Sequence, residues 1–153
     1  MPRKRPDSSL LIDEKITRQI IGAFFECYNK LGYGFLESVY RRALLLELRS
    51  RGLLAVEEQP VEVFYKGIPV GSFRLDLLVE HRIVVEAKAT ASLSLSDKRQ
   101  VINYLRATRL ELGLLLHFGP EPRFERCLNA ELYRAARKRE VESTNPALSG
   151  RSG

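Results

Sequence analysis

Two acidic residues and a lysine within residues 74–88 have types and spacing that could act together chemically. If this segment is a hairpin that turns at residues 80–82, paired positions sum to 162, which places Asp76 opposite Glu86 and Arg74 opposite Lys88. Because side chains alternate along a strand, these four charged groups are expected to share one face. The other face would be wholly apolar, and it comprises Leu75, Leu77, Val79, Ile83, Val85 and Ala87.

Two carboxylates placed side by side predict a site for a divalent cation. Opposed carboxylates repel each other and are costly to remove from water, and Mg²⁺ or Mn²⁺ relieves both problems because hard cations prefer oxygen ligands. Lys88 lies two residues beyond Glu86 and would reach the same site, where it would orient a water or offset charge on a phosphate. A simpler interpretation pairs Asp76 with Arg74, and Glu86 with Lys88, as ion pairs on a solvated face. The residue types alone leave both interpretations open.

The elements that must position these residues follow from the periodicity of the apolar side chains. Apolar residues four positions apart, from Ile12 through Ile16 and Ile20 to Phe24, predict a first helix that ends near residues 32–34. Alternating apolar residues further along predict strands, with a turn at residues 66–69. The predicted elements are helices at 12–31, 36–50, 95–107 and 129–139, and strands at 56–65, 70–79, 83–89, 112–118 and, less regularly, 123–128. This order, ααβββαβ(β)α, predicts an α/β (α+β) fold with a mixed central sheet flanked by helices.

The ends of the chain differ in composition from its body. Residues 1–10 and 140–153 are polar and rich in Pro, Ser and Gly, which predicts two disordered tails around a single domain at 11–139. Of the net charge of +6, residues 1–10 contribute +2 and residues 134–153 contribute +3, so the net charge does not indicate a strongly basic body. The first tail is the more purely basic of the two.

Composition also limits the classes of site and compartment. The two cysteines, Cys27 and Cys127, are far apart, which argues against a cysteine-based zinc or iron–sulfur site. No run approaches 18 apolar residues and the N-terminus has no apolar signal segment, so we expect a cytoplasmic protein without a membrane span.

Three motifs together resemble one enzyme superfamily. Asp76 with Glu86-Ala87-Lys88 resembles the core motif of the PD-(D/E)XK nucleases, although Leu75 stands where the superfamily name has proline, a loosely kept position. Downstream, the segment 100–104 (Gln-Val-Ile-Asn-Tyr) is similar to the QxxxY element of RecB-like members. Upstream, the segment 34–40 (Gly-Phe-Leu-Glu-Ser-Val-Tyr) is similar to the signature of the small bacterial GxxExxY proteins. The resemblance covers about residues 11–129.

The resemblance implies a restriction-endonuclease-like fold and a role for each motif residue. Asp76, Glu86 and the backbone carbonyl of Ala87 would hold Mg²⁺ or Mn²⁺, and Lys88 would be the catalytic lysine. Glu37 would be a further catalytic acid and metal ligand, although a glutamate in the first turn of a helix also suits the helix dipole without any function. The residues implied to position substrate are Gln100, Tyr104 and Arg74.

Several of these residues also have plain structural interpretations. Gln100 and Tyr104 are spaced i, i+4, so they share one helix face, which is equally typical of a helix surface with a half-buried tyrosine. Tyr40 fits simple packing beside Glu37. A local basic rim around the site is a further expectation, formed by Arg41, Arg42, Lys98, Arg99, Arg106 and Arg109.

The resemblance implies that the protein is a metal-dependent nuclease, which hydrolyses phosphodiester bonds of nucleic acid. We expect this nucleic acid to be DNA. Two alternatives remain: a catalytically silent nuclease fold that binds nucleic acid or a partner, and an accessory subunit active only within a complex. Homo-oligomers or a larger nuclease complex are compatible with each of these. The sequence does not separate DNA from RNA, single from double strands, or end-dependent from internal cleavage.

Overall fold

The computed structural model describes residues 9–145 and 147, with side chains described from Asp13 onward. Its element order confirms the predicted order ααβββαβ(β)α, including the less regular fifth strand. The elements are α1 (Ser9–Leu31), α2 (Glu37–Ser50), β1 (Ala55–Tyr65), β2 (Ile68–Val79), β3 (Ile83–Lys88), α3 (Leu95–Thr108), β4 (Leu112–Phe118), β5 (Pro122–Leu128) and α4 (Ala130–Thr144). None of the described helices is long and apolar enough to cross a membrane.

The five strands form one mixed sheet, as predicted. Their spatial order is β1-β2-β3-β4-β5, and β3 and β4 are parallel while the other neighbours are antiparallel. Helix α3 connects the two parallel strands, which cannot be joined by a tight turn. The pairs Leu77–Val85 and Val79–Ile83 confirm the predicted hairpin register, in which paired positions sum to 162.

Two hydrophobic cores lie on the two faces of the sheet. The larger core joins α1 and α2 to the sheet and contains Leu77, Val79, Ile83, Val85 and Ala87. The smaller core lies under α3, where Val101 and Leu105 pack on Val84 and Leu115. Gly113 lets α3 approach β4, because a Cβ there would lie 2.7 Å from Val101 Cγ1.

The prediction that Leu75 shares a face with Leu77 is wrong. Leu75 is buried in the smaller core under α3, whereas Leu77 belongs to the larger one. Two residues separated by one position share a face in a regular strand, so β2 changes face at Asp76. The adjoining strand is distorted at the same level, since Glu58 of β1 has a φ of 53°.

Two predicted tail boundaries also need correction. Helix α1 begins at Ser9, inside the range 1–10, and α4 continues to Thr144, inside the range 140–153. The sequence from Glu140 to Thr144 is polar but contains neither Gly nor Pro, so nothing in it ends a helix. The remaining predictions of disorder, on residues 1–8, 146 and 148–153, lie outside the described residues.

Candidate active site

Asp76 and Glu86, hereafter the carboxylate pair, lie just beyond the last paired residues of β2 and β3. The Asp76 N–H donates to Glu86 Oε1 at 3.2 Å, and the Ala87 N–H donates to Asp76 Oδ2 at 3.0 Å. Where the two strands separate, each carboxylate therefore accepts a backbone N–H in place of a carbonyl of the neighbouring strand. These two hydrogen bonds fix the positions of both side chains. The predicted juxtaposition of Asp76 and Glu86 is present.

Burial makes Glu86, one member of the carboxylate pair, costly to ionise. Glu86 is only 3% exposed. Its burial, and then the negative charge of Asp76, raise the pKa of Glu86 from its ordinary 4.5 to about 8. In the absence of a cation, Glu86 therefore tends to keep its proton at neutral pH.

Simple ion pairing does not explain these charges. Among the described residues, none of the ion pairs within 4.0 Å includes Asp76 or Glu86. Arg74 lies 3.9 Å from Glu58 and is 71% exposed at its side chain. Its neighbours Phe73 and Leu75 face α3, so Arg74 faces the opposite side of the sheet. The predictions that it shares a face with Lys88 and pairs with Asp76 are wrong.

Lys88 is held by a neutral side chain of helix α3. Its Nζ donates to Gln100 Oε1 at 3.0 Å. The helix begins with a capping box, in which the Asp97 N–H donates to the Ser94 hydroxyl and the Ser94 N–H donates to the Asp97 carboxylate. This cap fixes the start of α3 and thereby the position of Gln100 in the second turn of the helix.

Tyr104 lies one turn beyond Gln100 and is also near the carboxylate pair. Burial, followed by the negative charges of Glu86 and Asp76, raises the pKa of Tyr104 to about 12. Its ring stacks on Phe73, with ring centroids 4.2 Å apart. The structure thus brings the two α3 residues predicted from the QxxxY spacing to the same end of the hairpin as Asp76, Glu86 and Lys88.

Glu37, the first residue of α2, is near the carboxylate pair but does not join it. Burial, and then the charge of Asp76, raise its pKa, while the positive charge of Lys88 lowers it. Within the part of the chain that the structure describes, no three His, Cys, Asp or Glu side chains are grouped closely enough to hold a metal ion. The structure therefore assembles two of the three predicted acidic ligands.

Tyr40 explains how the loop before Glu37 is fixed. Its side chain is fully buried, its hydroxyl donates to the Gly32 carbonyl, and it accepts a hydrogen bond from the Phe35 N–H. The ring stacks on Phe118, with centroids 4.3 Å apart. The interpretation of Tyr40 as a packing residue is confirmed.

Sequence reasoning missed the acidic partners of Arg41 and Arg74. Arg41 lies 3.9 Å from Glu57 and 3.6 Å from Glu58, and Glu58 also meets Arg74. Two consecutive glutamates in a regular strand would place one carboxylate on each face, so the sequence does not predict that both meet Arg41, and the positive φ of Glu58 interrupts that alternation. This cluster occupies two of the basic groups that the sequence offers around the site.

The donor set of the carboxylate pair fits a hard divalent cation. All its donor atoms are oxygens, which suits Mg²⁺ or Mn²⁺ rather than a softer metal. Among the described residues, the buried Glu86 carboxylate belongs to no ion pair within 4.0 Å, and the charge of Lys88 only partly offsets its raised pKa, so a cation would remove the cost of ionising it.

The sequence and the structure were compared with known proteins to find the family of this chain. No curated protein matches the sequence significantly. A similar solved structure, described as the crystal structure of SSO0001, is 20% identical, with a TM-score of 0.48. The match covers 71% of this chain, which spans 58% of the length of that structure. The sequence profile of the PD-(D/E)XK nuclease superfamily matches residues 14–129, well over half of the chain, and the chain therefore belongs to that superfamily.

Proposed function

We propose that this protein is a divalent-metal-dependent nuclease that hydrolyses phosphodiester bonds of nucleic acid, with DNA as its substrate. One observation carries the proposal: a buried Glu86 carboxylate lies against Asp76, outside every ion pair among the described residues, and beside a lysine that is held by a neutral amide. Membership of the superfamily supports the same chemistry.

Asp76 and Glu86, with the backbone carbonyl of Ala87, would hold Mg²⁺ or Mn²⁺. When bound, such an ion polarises a phosphate and lowers the pKa of a water. Lys88 would orient the attacking water and offset negative charge on the phosphate, since Gln100 holds its ammonium group at 3.0 Å. Glu37 would complete the site when substrate is present, and Tyr104 would contact the substrate backbone.

The proposal also includes a subfamily, a location, an assembly state and a role for Arg74. The segment 34–40 supports a place among the bacterial GxxExxY proteins, and the segment 100–104 supports a RecB-like arrangement on α3. A cytoplasmic location and a homo-oligomer or larger nuclease complex are part of this proposal. Arg74 remains a candidate for substrate positioning from the opposite face of the sheet.

A second candidate function is an accessory subunit that cleaves only within a larger complex. Glu37 is close enough to Asp76 for that charge to raise its pKa, yet no three acidic side chains among the described residues are grouped closely enough to hold a metal ion, and this favours a site that a partner or substrate completes.

The test is cleavage of linear, circular, single-stranded and double-stranded DNA with Mn²⁺ or Mg²⁺. Lys88→Ala should abolish cleavage, whereas Lys138→Ala, an exposed lysine on α4, serves as the matched control and should cleave like the wild type. Equal cleavage by the wild type and Lys88→Ala would refute the catalytic role of Lys88. No cleavage by the wild type, with DNA still retained, would instead favour the binding or accessory function.

A further inference from the structure

A groove of about 760 Å³ lies between the β1–β2 hairpin and helix α3. We call it the hairpin groove. The hairpin side includes Val63, Phe64 and Phe73, and the helix side includes Tyr104, Arg106 and Arg109. Its volume is within the range of pockets that hold ligands of one or two nucleotides' size.

The hairpin side of the groove offers aromatic surface to a ligand. Phe64 is 58% exposed, an unusual position for a phenylalanine near the tip of a hairpin. Deeper in the groove, Phe73 is stacked on Tyr104 and is already covered by it. Phe64 is therefore the aromatic ring that a ligand would cover.

The helix side offers positive charge. Arg106 and Arg109 are exposed, and none of the ion pairs among the described residues includes either of them. Glu62 is the acidic member of the groove lining, so the charged groups there sum to +1. This contrasts with Arg41 and Arg74, which are engaged by Glu58.

The groove reaches towards the candidate active site at Tyr104. Tyr104 lines the groove, and Gln100, one turn earlier on the same helix face, holds Lys88. Arg106 and Arg109 lie two and five residues beyond Tyr104, so a ligand would pass from the two arginines around the C-terminal end of α3 to the face that carries Tyr104 and Gln100.

We propose that the hairpin groove holds a single-stranded segment of the nucleic-acid substrate, with a base stacked on Phe64 and phosphates on Arg106 and Arg109. This inference rests on the proposed nuclease function and specifies its substrate class. Stacking on a protein ring requires a base whose face is free, and the bases of a duplex cover each other's faces. Exposed aromatic surface facing unpaired arginines is therefore typical of a site for single strands.

The experiment is fluorescence anisotropy with a labelled oligothymidylate of about 20 nucleotides and a duplex of the same length, in EDTA so that no cleavage occurs. Phe64→Ala should weaken oligothymidylate binding by about 5- to 150-fold, the effect expected from losing one stacked base. Tyr65→Ala is the matched control, because Tyr65 is the exposed neighbour of Phe64 but does not line the groove. That variant should bind like the wild type.

The proposed phosphate contacts of Arg106 and Arg109 are tested separately. The double variant Arg106→Ala/Arg109→Ala should reduce the slope of log Kd against log salt by about 1.4, the value for two phosphate contacts to a single strand. Arg137→Ala, an exposed arginine on α4, should leave the slope unchanged.

The outcomes separate this inference from the proposed function. Equal affinities for single strand and duplex, or equal effects of Phe64→Ala and Tyr65→Ala, would overturn the groove proposal even if the wild type cleaves DNA. Selective binding that depends on Phe64, in a protein that never cleaves, would support the groove and overturn the nuclease. Thermal melts of all variants check folding, and both hairpin side chains are exposed, so their removal should leave Tm near the wild-type value.

Discussion

Replacing Glu86 by glutamine tests whether the carboxylate pair is a cation site. In the folded protein the pKa of Glu86 is about 8, against an ordinary 4.5, because the side chain is buried and faces Asp76. A carboxyl group whose pKa is raised on folding binds its proton more tightly in the folded state. The contribution of Glu86 to the free energy of unfolding should therefore be greatest below pH 4.5 and should fall as the pH rises towards 8.

The size of this effect follows from the difference between the two pKa values. Each pKa unit corresponds to ~1.4 kcal/mol, so Glu86 should cost the metal-free protein ~4 kcal/mol of unfolding free energy by pH 8. Glutamine keeps an oxygen to accept the Asp76 N–H and carries no charge. In EDTA, Glu86→Gln should accordingly be more stable than the wild type by ~2–4 kcal/mol at pH 8, and nearly equal to it at pH 4.5.

The assay is urea unfolding followed by circular dichroism, at both pH values. Glu121→Gln removes an exposed carboxylate that meets only Arg123, and it should shift stability by less than ~0.5 kcal/mol at either pH. If the difference between wild type and Glu86→Gln is the same at both pH values, the burial of an ionisable Glu86 is the wrong explanation.

Manganese should close or reverse the stability difference between wild type and Glu86→Gln at pH 8. A ligand at a thousand times its Kd stabilises the folded state by ~4 kcal/mol, and the wild type should gain this while Glu86→Gln gains little. Equal stabilisation of both proteins by Mn²⁺ would refute the assignment of Glu86 as a ligand. A simple packing defect at residue 86 predicts no such change.

Three further predictions concern residues that position the site. Gln100→Ala should lower kcat by about 10- to 100-fold with little change in KM in steady-state kinetics, because Lys88 loses its fixed partner, and an unchanged kcat would contradict this role. Tyr40→Phe removes two buried hydrogen bonds and should cost ~1–3 kcal/mol in urea unfolding, whereas an unchanged midpoint would contradict this role. Gly113→Ala should cost ~1–3 kcal/mol, since its Cβ would lie 2.7 Å from Val101 Cγ1, and equal or greater stability would show that α3 can move away.

The sequence predicts the hairpin register because its apolar residues leave only one choice. A shift by one residue would move Leu77, Val79, Ile83 and Val85 away from the α1–α2 core, so the pairing is strongly specified. The change of face at Asp76 was not predictable in the same way. It arises where the Asp76 carboxylate accepts the Ala87 N–H, a contact that exists only once two strands have separated.

The packing of α3 on the sheet could also be predicted only in part from the sequence. The i, i+4 spacing predicts that Gln100 and Tyr104 share a face, but not which part of the sheet that face meets. The docking depends on Gly113, where the absence of a side chain lets Val101 approach the strand. A glycine in a strand has several possible causes, so its sequence position alone does not reveal a close helix.

The partner of Lys88 decides whether the carboxylate pair remains available to a cation. A lysine that paired with Glu86 would satisfy the carboxylate and lower its pKa, and a cation would then have to displace it. In this structure the ammonium group donates instead to the neutral amide oxygen of Gln100. Glu86 is left buried and outside every ion pair among the described residues, and its pKa stays raised even though the charge of Lys88 lowers it in part, so ionising it and binding a divalent cation become favourable together. This coupling makes metal binding release a proton, and the apparent affinity for Mn²⁺ should rise with pH up to about 8.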